Sequence, residues 1–232
     1  MLSEYDFLKG ITKLFTYNNI ISISGESGTG KTTLALYLVG NCLKDGEQCI
    51  WIQASELFPI KRLDHLFKKH PEKLKSLREN IFVIPKNHVI HAYQEQCTLL
   101  QDLIGETKIL PPNLRFIVFD NISHHLRFII TQYSKISYIS DILNKFYENS
   151  LMPLILFCNR NNLVLILIHE VTYVPSLSCI KPFFYKLYDR LKTIDIVLNN
   201  ILYENKKKIQ ILFNGGKWEF NYIIEPTGIV FY

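Results

Sequence analysis

Short, nearly continuous apolar runs recur along the first three quarters of the chain: Ile20 to Ser24, Cys49 to Ile52, Ile81 to Ile84, Phe116 to Phe119 and Leu163 to Ile168. Their β-branched and aromatic content predicts strands buried on both faces. The segments between them repeat apolar residues at three- and four-residue spacing. This predicts helices over Leu63 to Leu77, Tyr93 to Ile104 and Ile136 to Tyr147, with Pro153 in position to start another that ends near Asn161. A further helix opens at Leu34 and is expected to stop at Asp45-Gly46. Strands alternating with helices imply right-handed crossovers and a mainly parallel sheet.

The C-terminal part changes character. Ile194 to Leu198, Ile209 to Phe213 and Trp218 to Ile224 read as strands, with turn signals at Glu204-Asn205 and Gly215-Gly216. Antiparallel hairpins are therefore expected to finish the sheet. The predicted class is α/β, a mainly parallel twisted sheet flanked by helices, with one core over residues 15–232 after a short arm over residues 1–14.

Composition narrows the setting. A chain of 232 residues with 48% hydrophobic and 20% charged positions has enough apolar surface for a folded domain. The net charge of +5 permits an anionic partner without requiring one. Five cysteines, at positions 42, 49, 97, 158 and 179, form no C-x-x-C pair, which suits buried thiols in a reducing compartment. The most apolar stretch, Leu151 to Ile168, is cut by Asn159-Arg160-Asn161-Asn162, so no membrane span is expected. Charged residues among the first turns leave no secretory signal.

Candidate chemistry concentrates at Gly25-Glu26-Ser27-Gly28-Thr29-Gly30-Lys31-Thr32-Thr33, between a predicted strand and a predicted helix. Small residues there let successive backbone N–H groups face one anion at a helix N-terminus, as a phosphate-binding loop requires. Lys31 would reach the β- and γ-phosphates of ATP, and the Thr32 hydroxyl would hold magnesium. Asp120, ending the apolar strand Arg115 to Phe119, is the carboxylate expected to complete the magnesium shell with Thr32.

The order GESGTGKTTLALYL, CIWIQASELFPIKRL, FIVFDNISHHLR and LVLILIHEVTYV resembles the RecA-like core of the RecA/RadA-type strand-exchange recombinases. Within that family the chain is most similar to short paralogues, of the archaeal RadB type or the eukaryotic D-type. The resemblance implies an ATP-binding accessory factor in homologous-recombination repair. Its implied partners are other recombinase paralogues, a SWIM-domain protein, the main recombinase and single-stranded or branched DNA. Many Asn, Cys and His residues with a modest charged fraction do not look hyperthermophilic, so a eukaryotic nuclear protein is expected, or a cytoplasmic one if the source is archaeal. A KaiC- or RadB-like ATPase stimulated by DNA and acting alone is the alternative.

The same resemblance marks departures. Ser55 falls where the family places a water-orienting glutamate, and Glu56 is the neighbouring carboxylate; it reads either as a substitute base or as a solvated side chain. Glu170, beside His169, takes the position of a γ-phosphate-sensing glutamine, where a carboxylate would repel phosphate unless paired. Arg62 matches a position that lies against adenine. Asn214-Gly215-Gly216 is expected to replace a proline-bearing loop that covers adenine, and Phe7-Leu8-Lys9-Gly10 matches the Phe-x-x-Ala polymerisation motif poorly. Thr172 to Pro182 sits where the family has a mobile DNA-binding loop. Lys181, Lys186, Arg190, Lys206, Lys207 and Lys208 are the candidate phosphate contacts, with a solvated hairpin tip the other reading of the lysine run. Tyr173, Tyr185 and Tyr188 stand as base-stacking or packing residues. The pairs His88 and His91, and His124 and His125, lack the cysteine or carboxylate that would complete a metal site.

Overall fold

The computed structural model describes residues 4–105, 110–201, 206–225 and 227–232. Parallel strands β1 (Ile20–Gly25), β2 (Gln48–Gln53), β3 (Ile81–Ile84), β4 (Leu114–Asp120), β5 (Val164–His169) and β8 (Ile194–Asn200) form most of one sheet. Antiparallel β9 (Lys207–Phe213), β10 (Gly216–Glu225) and β11 (Gly228–Phe231) extend it. The spatial order is β11-β10-β9-β8-β1-β5-β4-β2-β3, so β1 lies inside, between β5 and β8. A separate antiparallel hairpin joins β6 (Val171–Val174) to β7 (Cys179–Pro182) through a 3-10 turn at Pro175–Leu177. The expected α/β class is thus observed. The turn signal at Glu204-Asn205 lies outside the described residues.

The inner strands β1, β2, β4 and β5 send alternate residues to two cores, as a sheet covered on both faces requires, whereas β8 directs Ile194, Ile196 and Leu198 into the first alone. Ile21, Ile23, Trp51, Phe116, Val118 and Ile166 pack beneath helices α1 (Glu4–Leu14) and α2 (Lys31–Cys42). Ile52, Ile117, Phe119, Leu165 and Leu167 face α5 (Tyr93–Ile104), α6 (Ser123–Ile130), α7 (Ile136–Phe146) and α8 (Met152–Arg160). Gly40 of α2 is a packing necessity: a Cβ there would stand 2.1 Å from the Phe67 ring. Helix α1 lies in the first core, where Phe7 and Ile11 are fully buried and the Glu4 carboxylate accepts the Tyr37 hydroxyl.

Three boundaries depart from the sequence reading. The single helix expected over Leu63 to Leu77 is two, α3 (Ile60–Leu66) and α4 (Pro71–Asn80), because Pro71 disfavours the helical region for His70 and starts its own helix. Helix α2 stops at Cys42, ahead of the turn at Asp45-Gly46. Helix α7 runs through a π-helical segment at Tyr147–Leu151 into α8, with Pro153 just beyond, at the point where the missing N–H would otherwise break the ladder. None of the described helices is long and apolar enough to cross a membrane.

Candidate nucleotide site

The parallel topology brings the C-terminal ends of β1, β4 and β5 side by side, the place where open α/β sheets hold ligands. Strand β1 ends at Gly25, and residues 26–30 turn over the sheet edge into α2. Gly30, the residue before that helix, has φ 89°, and no side chain caps the helix. A Cβ on Gly30 would meet Ile224 Cδ1 at 2.5 Å, so both backbone conformation and space demand glycine. Thr29 is buried; its hydroxyl donates to Glu26 O at 2.8 Å and its own carbonyl accepts the Tyr222 hydroxyl at 2.6 Å. The loop is therefore fastened to the C-terminal strands, and Asn200 adds a bond to the Glu26 carboxylate at 3.1 Å.

Lys31 turns back over this loop, its ammonium donating to Gly25 O at 2.8 Å and Glu26 O at 3.0 Å. Partial burial pulls its pKa below the ordinary lysine value, against the opposing attraction of Asp120, Glu170 and Glu56. The Thr32 hydroxyl donates to Asp120 Oδ2 at 2.9 Å, joining the helix start to the end of β4. A cleft of about 1060 Å³ opens over these groups, bordered also by Ser55, Glu56, Arg62, Asn121 and Glu170. The donor set fits a magnesium nucleotide: an uncapped helix start and a lysine for phosphate, and a hydroxyl beside a carboxylate for the cation. The predicted residues Gly25 to Thr33, Arg62 and Asp120 are all brought to this one end of the sheet.

Burial pushes the Asp120 carboxyl up to about 6, opposed by the Thr32 hydrogen bond, reinforced by Glu56 and opposed again by Lys31 and Arg62. The folded chain thus binds this proton more tightly than the unfolded one. The stability tied to it is complete below the unfolded value near 3.8 and is lost as pH rises through about 6. Asp120→Asn is expected to raise the unfolding free energy of nucleotide-free protein near neutral pH by roughly 1–3 kcal/mol and to flatten its decline between about pH 4 and 6. Urea titrations at the two pH extremes check this; identical curves for both proteins would mean that Asp120 ionises in the fold as it does in water.

The rim of the cleft holds groups that the sequence did not assemble. Glu170 Oε2 accepts from Arg127 at 2.8 Å, and Glu170 Oε1 accepts from Asn121 at 3.1 Å and lies 3.4 Å from His124 Nδ1. Burial acts to raise the Glu170 pKa, but Arg127, Asn121 and His124 together outweigh it and hold it below the ordinary carboxylate value. The pairing that a carboxylate at this position needs is therefore present. The Arg127 guanidinium also sits 4.6 Å from the Phe183 ring centre. His169 points into the opposite core, where burial drives its pKa down to about 3 and leaves it neutral against Tyr188. Ser55 is half-buried and Glu56 exposed on the cleft wall. Arg62 stands between this cleft and a neighbouring cavity of about 510 Å³ lined by Phe58, Pro59, Ile60 and Ile224, apolar neighbours suited to a base.

The remaining candidate residues separate in space. Asn214-Gly215 forms the tight β9–β10 turn, with φ 47° and 77°, at the end of the sheet away from the phosphate loop. It cannot cover a base at this site, because antiparallel β9 carries the chain back beside the start of β8. Thr172 to Pro182 is the ordered β6–β7 hairpin, with Tyr173 and Ile180 on the cleft wall. The DNA-contact candidates fall at two ends of β8, about 20 Å apart. Arg190 precedes this strand, whereas Lys207 donates to Asn200 at 2.6 Å and Lys208 to Glu219 at 3.0 Å beyond its other end. Lys206 lies over the Tyr232 ring, Lys181 is half-buried on β7, and Lys186 is exposed. Tyr188 is packed in the core and Tyr185 is half-buried. His88 lies 3.5 Å from Glu95, and His125 contacts Ala54 O at 3.1 Å.

Comparison with known proteins places this geometry. A family model described as novel STAND NTPase 3 matches residues 4–136. The DNA repair protein rhp55 of Schizosaccharomyces pombe (strain 972 / ATCC 24843) is 37% identical over 51 residues, 22% of this chain and 15% of that protein. The chain thus matches only a small part of that relative's length. A crystal structure of the RadB recombinase covers 90% of this chain, and 89% of its own, with a TM-score of 0.65 at 18% identity. The resemblance to RecA/RadA-type recombinase paralogues, and the RecA-like fold it implied, are borne out.

Proposed function

This chain belongs to the novel STAND NTPase 3 family, and from that premise we propose an ATP-binding recombinase paralogue that serves as an accessory factor in homologous-recombination DNA repair. One combination carries the reading. The holding groups Lys31, Thr32 and Asp120 converge on one cleft, while Ser55 stands at the water-orienting position and Glu170 at the sensing position is tied to Arg127. A serine hydroxyl is a poor proton acceptor near neutral pH, so the cleft is better equipped to retain a nucleotide than to cleave it.

Bound magnesium nucleotide would supply phosphate charge and a divalent cation. The loop amides and Lys31 would hold the phosphates, Thr32 and Asp120 the cation, and Arg62 the base. Retention stabilises whichever arrangement binds best, so the nucleotide acts as an ordering ligand for the subunit or its interface. The proposed setting is a heteromeric paralogue complex, with a SWIM-domain protein among its members, that assists the main recombinase on single-stranded or branched DNA in the nucleus. The name of rhp55 as a DNA repair protein supports that setting.

A second reading, a DNA-stimulated ATPase acting alone, rests on exposed Glu56, which lines the cleft and is electrostatically coupled to Asp120 and Lys31. Equilibrium ATP binding and steady-state hydrolysis, each with and without single-stranded DNA, decide between them. Tight binding with turnover at background is the expected result. Robust turnover lost in Glu56→Gln would favour the second reading, and failure to bind ATP with magnesium would overturn both.

A further inference from the structure

The starts of the parallel strands, at the end of the sheet away from the phosphate loop, carry a second concentration of chemistry. Two adjoining cavities of about 710 and 480 Å³ lie there and share Tyr17, Asn18, Asn19 and Asn159. Successive strands contribute in spatial order: Lys44 and Glu47 precede β2, Arg115 lies in β4, Tyr17 precedes β1, and Arg190 and Lys192 precede β8. Four basic side chains thus line the joined groove against one acidic one, and Glu47 already accepts the Lys44 backbone N–H at 2.9 Å. From β2 to β8 the groove crosses four strand spacings, about 19 Å.

Aromatic groups interrupt this basic line. Tyr17 is 67% exposed, yet its backbone is fixed: Tyr17 N donates to Leu14 O at 2.9 Å, and Asn18 N donates to the same carbonyl at 3.0 Å. Asn18 is pinned in turn, through its side chain to Lys192 O at 2.6 Å. Arg190 lies over the Tyr147 ring at 5.5 Å, on the far wall. A solvent-facing ring on an anchored backbone, between cations, offers a base-stacking platform within a track for phosphates. A duplex keeps its bases stacked internally and has no use for the ring; an unpaired strand does.

We propose that this groove, from Lys44 and Arg115 past Tyr17 to Arg190 and Lys192, binds single-stranded nucleic acid at the opposite end of the sheet from the nucleotide cleft. The inference rests on the nucleic-acid role proposed above and not on the phosphate loop. It assigns the contact to the Arg190 end of β8 and away from Lys207 and Lys208, which are engaged by the acceptors Asn200 and Glu219. Arg115 donates to the Asn162 backbone carbonyl, an uncharged acceptor that leaves the guanidinium charge in place.

Fluorescence anisotropy with a labelled oligothymidylate, as a function of salt, tests the assignment on the full chain. Tyr17→Ala is expected to weaken binding about 5- to 100-fold, the range of one lost base stack. Arg190→Ala/Lys192→Ala is expected to make the log–log salt slope shallower by about 1.4, two phosphate contacts at roughly 0.7 each. Lys207→Ala/Lys208→Ala should leave both quantities unchanged, and all variants should retain wild-type ATP affinity and thermal stability. The proposal is overturned if only the Lys207/Lys208 variant loses binding, or if a duplex binds as tightly as the single strand. It is equally overturned if polyglutamate competes as well as the oligonucleotide, since that would identify the groove as a site for acidic protein segments. Absence of oligonucleotide binding by a wild-type protein that binds ATP would sink the groove assignment alone.

Discussion

Replacing Lys31 with alanine is expected to weaken ATP binding by at least about a hundredfold. The ammonium is half-buried at the loop, and its present partners are two backbone carbonyls, Gly25 O and Glu26 O, that water can solvate in the open cleft. Transfer of its hydrogen bonds to phosphate oxygens exchanges neutral acceptors for charged ones, and bonds to charged groups contribute about 1.5–3 kcal/mol each. Loss of two such contacts amounts to roughly 3 kcal/mol, which corresponds to the hundredfold figure. Thermal stability without nucleotide should change little, because the ammonium's hydrogen bonds go to backbone carbonyls and its attraction to Asp120, Glu170 and Glu56 acts across an open cleft. Calorimetric titration with ATP and magnesium provides the check. An unchanged affinity would assign phosphate retention to the loop amides alone and remove the lysine from the site.

Phe7→Ala is expected to lower the unfolding free energy by about 3–5 kcal/mol, the usual cost of emptying a fully enclosed aromatic site. The ring has no solvent exposure and packs edge-on against Phe220 at 5.2 Å, 4.8 Å from the Phe231 centroid and 6.4 Å from Tyr37. Those three partners belong to β10, β11 and α2, so one side chain joins the first helix to the loop-bearing helix and to the C-terminal strands. Denaturant unfolding measures the loss, and a change below about 1 kcal/mol would mean that α1 detaches from a core that stands without it. The poor match of Phe7-Leu8-Lys9-Gly10 to a polymerisation motif gains a physical reason here, since a ring committed to its own core is not available to a neighbour.

Sequence alone disclosed what depends on neighbours in the chain. The central stretches of β1, β2, β4 and β5 were legible because burial on both faces leaves them apolar apart from Ser22 and Ser24, whereas β8 also carries Asp195, Asn199 and Asn200. The phosphate loop was legible because its backbone demands are written in consecutive residues. Strand β11 escaped because four residues at a sheet edge, Gly228–Phe231, carry too short a pattern to separate from a turn. The α3–α4 break was obscured by hydrophobic spacing that continues across Pro71. At the site, Asp120 could be named from its strand, but the Arg127–Glu170 pair joins residues 43 apart and the Tyr222–Thr29 bond residues 193 apart. Such contacts are set by sheet order, to which local periodicity is blind. The candidate DNA residues illustrate the same limit: Arg190 and Lys207 are near in sequence and are held apart by the length of one strand.

The interior position of β1 also governs when the nucleotide loop can exist. Its two flanking strands come from Val164–His169 and Ile194–Asn200, long after β1 itself leaves the ribosome. At roughly 5–20 residues per second, the chain from Gly25 to Asn200 takes about ten to thirty-five seconds to make. Through that interval Ile21 and Ile23 have neither neighbour, and the loop has no edge to turn over. The nucleotide therefore has no place to bind until β8 has been made, and ATP cannot steady the chain before that point.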